Sequence, residues 1–412
     1  MVHCGLVGGQ RVTDLVSVGV LASWLSRDAV DEAVVAAGRQ VRRRGGSLPP
    51  HVTAYLVIAM ALFPDSDYED VAARLAGGLE GLGCWLPGWE PTSGGITRAR
   101  RRLGPEPLEA LFAQVAVPVA ELDTPGAFLG PWRLMSIDGM EWDVPDTPAN
   151  REAFGDARGA FPRARVVTVG ECGSHAHVLA AIGGTAAGKG GGEQGLARRL
   201  YPRLEEGWLL LADRGFYCFA DWCAAAGTGA DLLWRVRENT RLPPLEPLPD
   251  GSYRSVLIDP RVVSGPRREG LIAAARAGQE LDQGTARHVR VIEYDVRDRE
   301  GSGQHERIVL ATTITGWRDA PAPALAGAYH QRWEHEGGNG QLKTTLRGPG
   351  RILRSKSPDM ARQEIWGYLL AHYGLCALAC AAATAAGIDP DRVKYKRTLQ
   401  MVRRAVGPAF PP

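Results

Sequence analysis

The sequence predicts an α/β protein, a mixed sheet covered by helices and preceded by a helical N-terminal domain. Three observations predict it. The first 125 residues or so repeat apolar residues at helical spacing. From Trp132 onward, short β-rich runs alternate with helical stretches. Residues 240–316 carry hairpin signals and little helix pattern. The expected divisions are a helical domain over 1–125, a first part of the sheet over 126–239, a β-rich insertion over 240–316, and a second part over 317–412 that ends in basic helices.

In chain order, VTDLVSVGVLASWLS and RDAVDEAVVAAGRQV read as helices over residues 12–41. Pro49-Pro50 opens HVTAYLVIAMALF, an apolar run too short to span a bilayer and expected to be a buried helix. Residues 65–78 read as a helix with an acidic first turn. Residues 84–89 form a turn-rich connector. In TSGGITRARRRLGPEPLEALF, Thr92 or Ser93 caps a short helix bearing Arg98, Arg100, Arg101 and Arg102, and Gly104-Pro105 breaks it before the next helix. Arg98, Arg100, Arg101 and Arg102 suit contact with nucleic-acid phosphates; the same pattern also fits a solvated basic helix in an ordinary bundle. Next come the strands WRLMSIDGMEWDV, ARVVTVGE and HVLAAIGG. The loop TAAGKGGGEQG shares only its glycines with a phosphate-binding loop. A helix from Glu193, the apolar strand WLLLA, a helix over 219–226 and the strand DLLWRVREN complete the first part. After the insertion, helices return from Asp319, including a long one over 360–386 and a basic one at the end.

Hydrophobic content of 45% and charged content of 23% fit a globular chain without a membrane span. The opening MVHCGLVGGQR lacks the order of a secretory signal. Seven scattered cysteines with no CxxC pair indicate neither a zinc site nor a disulfide framework, so a reduced, cytoplasmic protein is expected. Net charge is +2, yet residues 329–412 hold thirteen basic side chains against six acidic ones, an excess that points to a polyanionic partner.

Asp138 and Asp213 each follow an apolar strand, in LMSIDG and LLLADRG. Carboxylates there are shielded yet reachable, and with a helical glutamate they make an all-oxygen site suited to Mg²⁺ or Mn²⁺. Either alone also fits a turn residue or a helix cap. In YHQRWEHEGGNGQLK, residues Tyr329, Arg332, Glu336 and Lys343 share one face of a continuous α-helix, an ordered polar stripe. Here too a solvated face with an i,i+4 ion pair is an alternative. His175 and His177 alternate on a strand with no third ligand nearby, so structural roles are expected. Trp234 and Trp317 are candidates for stacking on a nucleic-acid base, against the alternative of packing.

The segments SIDGMEWDVPDTPANREAFG, LLLADRGFY, LLWRVREN and YHQRWEHEGGNGQLKTTLRGPGRILRSKSPDMARQEIWGYLLAHYGL together resemble bacterial insertion-sequence transposases of the DDE superfamily, in the insertion-element-four group. The last carries that group's Y-(2)-R-(3)-E-(6)-K signature in full, and TRARRRLGPEPLEALF resembles its N-terminal domain. The resemblance implies a ribonuclease-H-like catalytic core interrupted by the β-rich insertion. It implies that Asp138, Asp213 and Glu336 are the catalytic metal triad for Mg²⁺ or Mn²⁺. Tyr329, Arg332 and Lys343 then contact the transposon-end backbone, and Arg235 and Arg237, in LLWRVREN, join the DNA-contacting set. The implied function is metal-dependent cleavage and strand transfer in cut-and-paste transposition. The implied partners are double-stranded DNA, both terminal inverted repeats and target, and a second copy in a homodimer. The implied location is the bacterial cytoplasm, on the nucleoid when bound to DNA. A non-catalytic or inactivated DNA-binding remnant and a nuclease without strand transfer are the alternatives. Two departures stand out: Met140 replaces a small hydroxyl residue and is expected to loosen the strand end, and Gly337, Gly338 and Gly340 are expected to weaken the helix.

Overall fold

The structure is a computed structural model that describes residues 25–39, 48–81, 90–155, 159–185, 192–297 and 305–406. The first expected helix and the connector at 84–89 lie outside the described residues, as does most of the glycine-rich loop. The chain divides into two compact units, one of residues 1–119, 142–163 and 339–412 and one of residues 120–141 and 164–338.

The N-terminal region of the first unit holds α1 (Arg27–Ala36), α2 (Pro50–Leu62), α3 (Tyr68–Gly81), α4 (Ser93–Leu103) and α5 (Glu106–Val115). Expected capping is present: Thr92 accepts a hydrogen bond from the Gly95 N–H at 3.2 Å, and Pro50 occupies the first turn of α2. Eleven of the thirteen residues of α2 are buried, as its unbroken apolar run requires.

The second unit is built on one sheet. Its strands are β1 (Phe128–Leu129), β2 (Trp132–Asp143), β3 (Arg163–Glu171), β4 (His177–Gly184), β5 (Trp208–Ala212), β6 (Asp231–Arg235), β7 (Glu246–Pro247), β8 (Tyr253–Ile258), β9 (Ala286–Arg297) and β10 (His305–Thr312). Apart from β1, which pairs with β2, their order is β4-β3-β2-β5-β6-β10-β9-β8-β7. The sheet is mixed: β2, β5 and β6 are parallel, whereas β1–β2, β3–β4, β6–β10, β10–β9, β9–β8 and β8–β7 pair antiparallel. The helices in chain order are α6 (Pro148–Phe154, in the first unit), α7 (Glu193–Leu200), α8 (Phe219–Ala226), α9 (Gly265–Arg276), α10 (Ala322–His330) and α11 (Arg332–Gly340). Strand alternation divides the core in two. Leu210, Ala212, Leu232 and Trp234 face α7 and α8, whereas Leu209, Leu211 and Leu233 face Leu325 and Tyr329 of α10. Helices on both faces explain why β5 is buried at all five positions.

The insertion does not stand apart as hairpins. Its strands continue the central sheet through the β6–β10 pairing. It also contains α9, which the periodicity did not flag because only Ala275 of that helix is buried. Ser264, which caps it, and Pro266 in its first turn were the available signals. Trp234 is a second correction. It is fully buried, edge-on to Trp222 at 5.5 Å and tilted against Tyr201 at 5.9 Å, so it packs the core and cannot stack on a base.

The first unit closes with α12 (Pro358–Ala386) and α13 (Tyr395–Val406). α12 is long and apolar enough to cross a membrane by composition, but 61% of its most apolar window is buried within the protein. Gly367 lets it cross α2 closely: a Cβ there would lie 2.9 Å from the Val57 carbonyl oxygen. Cys376 and Cys380 are buried along it.

Candidate active site

The parallel pairing of β2 with β5 runs to Ile137↔Ala212, and β5 stops there. Asp138 and Asp213 are therefore the next residues on neighbouring parallel strands, whose backbones lie roughly 4.8 Å apart. Asp138 does not end its strand, as expected, because β2 continues to Asp143; what ends at this level is its partner β5. Met140 is buried in that continuation, so it anchors the strand rather than loosening it.

The helix bearing Tyr329, Arg332, Glu336 and Lys343 is not one straight α-helix. α10 ends at His330, Gln331 makes a turn, α11 follows, and residues Gln341–Leu346 form a π-helix that carries Lys343. The spacing that put all four on one face assumed an unbroken 3.6-residue repeat. The Arg332 guanidinium bonds the Glu336 carboxylate at 3.2 Å. Burial works against the Arg332 charge, but Tyr329, Asp213, Glu336 and Asp138 all favour it and together raise its pKa above the ordinary value. Both aspartates, the glutamate and the tyrosine thus act on a single guanidinium. Burial, followed by the charges around it, raises the Tyr329 phenol. The Tyr329 hydroxyl and Arg332 Nε are buried with no hydrogen-bond partner among the described residues.

His335, beside Glu336, anchors α11 to the sheet. Its Nε2 lies 2.9 Å from Thr168 Oγ1 on β3, and its ring stacks on His177 of β4 at 5.0 Å. Burial pushes its pKa down to about 3, so the ring is neutral. The neighbouring Glu334 pairs with His175, which holds a left-handed φ of 61°. Two of the three glycines of α11 lie against this turn: a Cβ at Gly338 would lie 3.2 Å from the His175 carbonyl oxygen and one at Gly337 3.4 Å from its ring, whereas a Cβ at Gly340 would meet open space. Gly337 and Gly338 let the helix lie close to this turn.

Glu193, to which the sequence alone drew no notice, lies beside the aspartates. Burial raises its carboxyl, and Asp138, Glu141 and Asp213 act the same way, against Arg165.

The Transposase DDE domain family matches residues 133–373. The chain belongs to the DDE transposase family. Residues 15–113 match the family described as insertion element 4 transposase N-terminal. Transposase InsG of insertion sequence element IS4 from Escherichia coli strain K12 is 27% identical over 399 residues, 93% of this chain and 82% of that one. A cryo-EM structure of a piggyBac transposase synaptic complex with hairpin DNA aligns with 94% of this chain and 79% of its own at 9% identity and a TM-score of 0.47, too slight a likeness to argue from.

This transposase is a DNA-acting enzyme of a metal-dependent family, and the oxygen donors of Asp138, Asp213 and Glu336 suit a hard divalent cation. Its expected DNA contacts are distributed unevenly. Arg98, Arg101 and Arg102 are exposed on α4. Arg100 is fully buried, donating to Gln363, Tyr68, Ser355 and the Met360 carbonyl at 2.7–3.2 Å, so it is a structural hub and not a phosphate contact. Arg235 is largely buried and paired with Glu306 at 2.6 Å, while Arg237 is exposed. Trp317 is half-buried, with the Arg318 guanidinium over its ring at 4.4 Å. The aromatic ring that sequence reasoning missed is Trp333, 59% exposed between Arg332 and Glu334.

Proposed function

We propose that this transposase cuts DNA at the ends of its own element and joins the freed ends to target DNA, with Asp138, Asp213 and Glu336 as the carboxylates of its Mg²⁺ or Mn²⁺ site. The reading is carried by one observation: the two aspartates follow the last paired residues of neighbouring parallel strands at the same level, and both act on the arginine that bonds Glu336. When bound, the metal would lower the pKa of water and stabilise charge on the phosphate. The chain's own groups orient the DNA. Tyr329 and Arg332 each offer a buried donor without a protein partner, suited to phosphate oxygens beside the carboxylates. Lys343, Arg237 and the exposed arginines of α4 are assigned to the DNA backbone further along. Trp317 remains a stacking candidate.

In the first step a water oxygen bonds to phosphorus as the P–O3′ bond breaks, leaving a 3′ hydroxyl on the element. That hydroxyl then attacks a second phosphodiester, and the departing 3′ oxygen takes up a proton. Both ends are brought together by a homodimer. The test is incubation with Mg²⁺ and duplexes carrying the inverted repeats that flank the coding region, followed on a sequencing gel. Nicked and joined products are expected. Nicking without joining would reduce the enzyme to a nuclease, and binding without nicking to a DNA-binding remnant.

A further inference from the structure

Glu193 occupies a position on the apolar face of α7. Residues 193, 196, 197 and 200 share that face, and Leu196, Ala197 and Leu200 are buried on it. The helix is tightly seated. A Cβ on Gly183 of β4 would lie 2.9 Å from Leu196 Cδ2, which fixes the register and with it the place of the residue one turn ahead. That residue is Glu193, and its carboxylate enters space left by another glycine. A Cβ on Gly139 would overlap Glu193 Oε1 and lie 2.9 Å from its Cδ, an approach that nonbonded atoms do not adopt. Gly139 immediately follows Asp138, and its φ is an ordinary one, so backbone strain does not demand glycine there.

A glutamate in the first turn of a helix ordinarily faces solvent, favoured by the helix dipole. This one is half-buried and turned toward two like charges, Asp138 and Asp213. The cation that favours its charge, Arg165, is already paired with Glu141. Arg332, on which Asp138 and Asp213 act, is not among the charges that favour the Glu193 carboxylate, and carboxylates gathered in this way repel one another unless a further cation lies among them.

We propose that Glu193 is a fourth carboxylate of the divalent-cation site, acting with Asp138, Asp213 and Glu336, and that Gly139 is the residue that admits it. The proposal rests on the reading of those three residues as the metal site, and it adds a ligand from a helix that the triad does not include.

The experiment is a titration of the full-length protein, without DNA, with Mn²⁺, following the paramagnetic resonance of the free ion. Glu193→Gln keeps the shape and removes the charge, and should weaken Mn²⁺ binding about tenfold or more. Gly139→Ala keeps the glutamate but places a methyl group where its carboxylate lies, and should produce a similar loss. The double variant should be no weaker than either single one, since both remove one interaction. Circular dichroism melting separates these effects from unfolding. Parental Mn²⁺ affinity in Glu193→Gln would overturn the proposal. Asp138→Ala and Asp213→Ala distinguish the two levels: if they lose Mn²⁺ while Glu193→Gln keeps it, only the role of Glu193 fails. If all of them keep it, the triad reading fails with it.

Discussion

His335 and Thr168 are joined by a 2.9 Å hydrogen bond, buried between α11 and β3, one residue away from Glu336. The carboxylate's place therefore depends on a buried, neutral histidine. His335→Ala should leave Thr168 without its partner and His177 without its stacked ring, costing roughly 1–3 kcal/mol of stability. Cleavage should fall at temperatures where the fold is intact, while binding to a terminal-repeat duplex is retained. Unfolding curves and gel shifts on the same preparation check both; loss of binding in parallel with cleavage would mean that the histidine serves only the fold.

The two tryptophans near the signature helix and the sheet should behave in opposite ways. Trp234→Ala opens a cavity in the core and should cost roughly 3–5 kcal/mol. Trp333→Ala removes a largely exposed ring and should change stability by no more than about 0.5 kcal/mol. It should instead weaken binding to a duplex end with an unpaired base by roughly 1–3 kcal/mol, the worth of one stacked base. Denaturant midpoints and fluorescence anisotropy measure the two effects.

The arginines of α4 separate in the same way. Arg100→Ala strands several buried partners and should destabilise the protein by roughly 3 kcal/mol or more, since each bond to a charged group is worth about 1.5–3 kcal/mol. Replacing Arg98, Arg101 and Arg102 by Gln should leave stability unchanged and lower the slope of log K against log salt by about one for each phosphate no longer neutralised. An unchanged slope would make that face ordinary solvated surface.

Asp250 and the fully buried Arg290 form an ion pair within the insertion. Burial works against the Asp250 charge, but bonds from Ser252 and the Ala322 N–H and the charge of Arg290 outweigh it, holding the carboxyl below its ordinary value of 3.8. A carboxyl depressed in the folded state contributes stability that is present above its unfolded pKa and lost as pH falls through the folded one. Stability should therefore decline as pH drops below about 4. Asp250→Asn should cost roughly 3–5 kcal/mol near neutral pH, because it leaves a buried guanidinium uncompensated. It should also flatten the acid limb, which urea midpoints measured against pH would reveal; an unchanged limb would assign the acid sensitivity elsewhere.

The elements of the site differ in how openly the sequence displays them. Asp138 and Asp213 were legible because a carboxylate after a run such as LLLA is conspicuous, and strand pairing then places the two side by side. The polar stripe was legible in composition but not in shape, since nothing in QLKTTL announces a π-helix and residue spacing assumes a regular one. Gly337 and Gly338 of α11 read as weakness because propensity counts a helix alone, whereas both lie against His175. Trp234 could have been placed in the core, since it shares a strand face with Leu232. Glu193 could have been noticed as a carboxylate on an apolar helix face.

The central claim is that Asp138, Asp213 and Glu336 perform the chemistry. Asp213→Ala in full-length protein, assayed with Mg²⁺ on a terminal-repeat duplex, tests it most directly. Cleavage should fall to background while the gel shift of the same duplex is nearly unchanged. Cleavage at the parental rate would contradict the assignment.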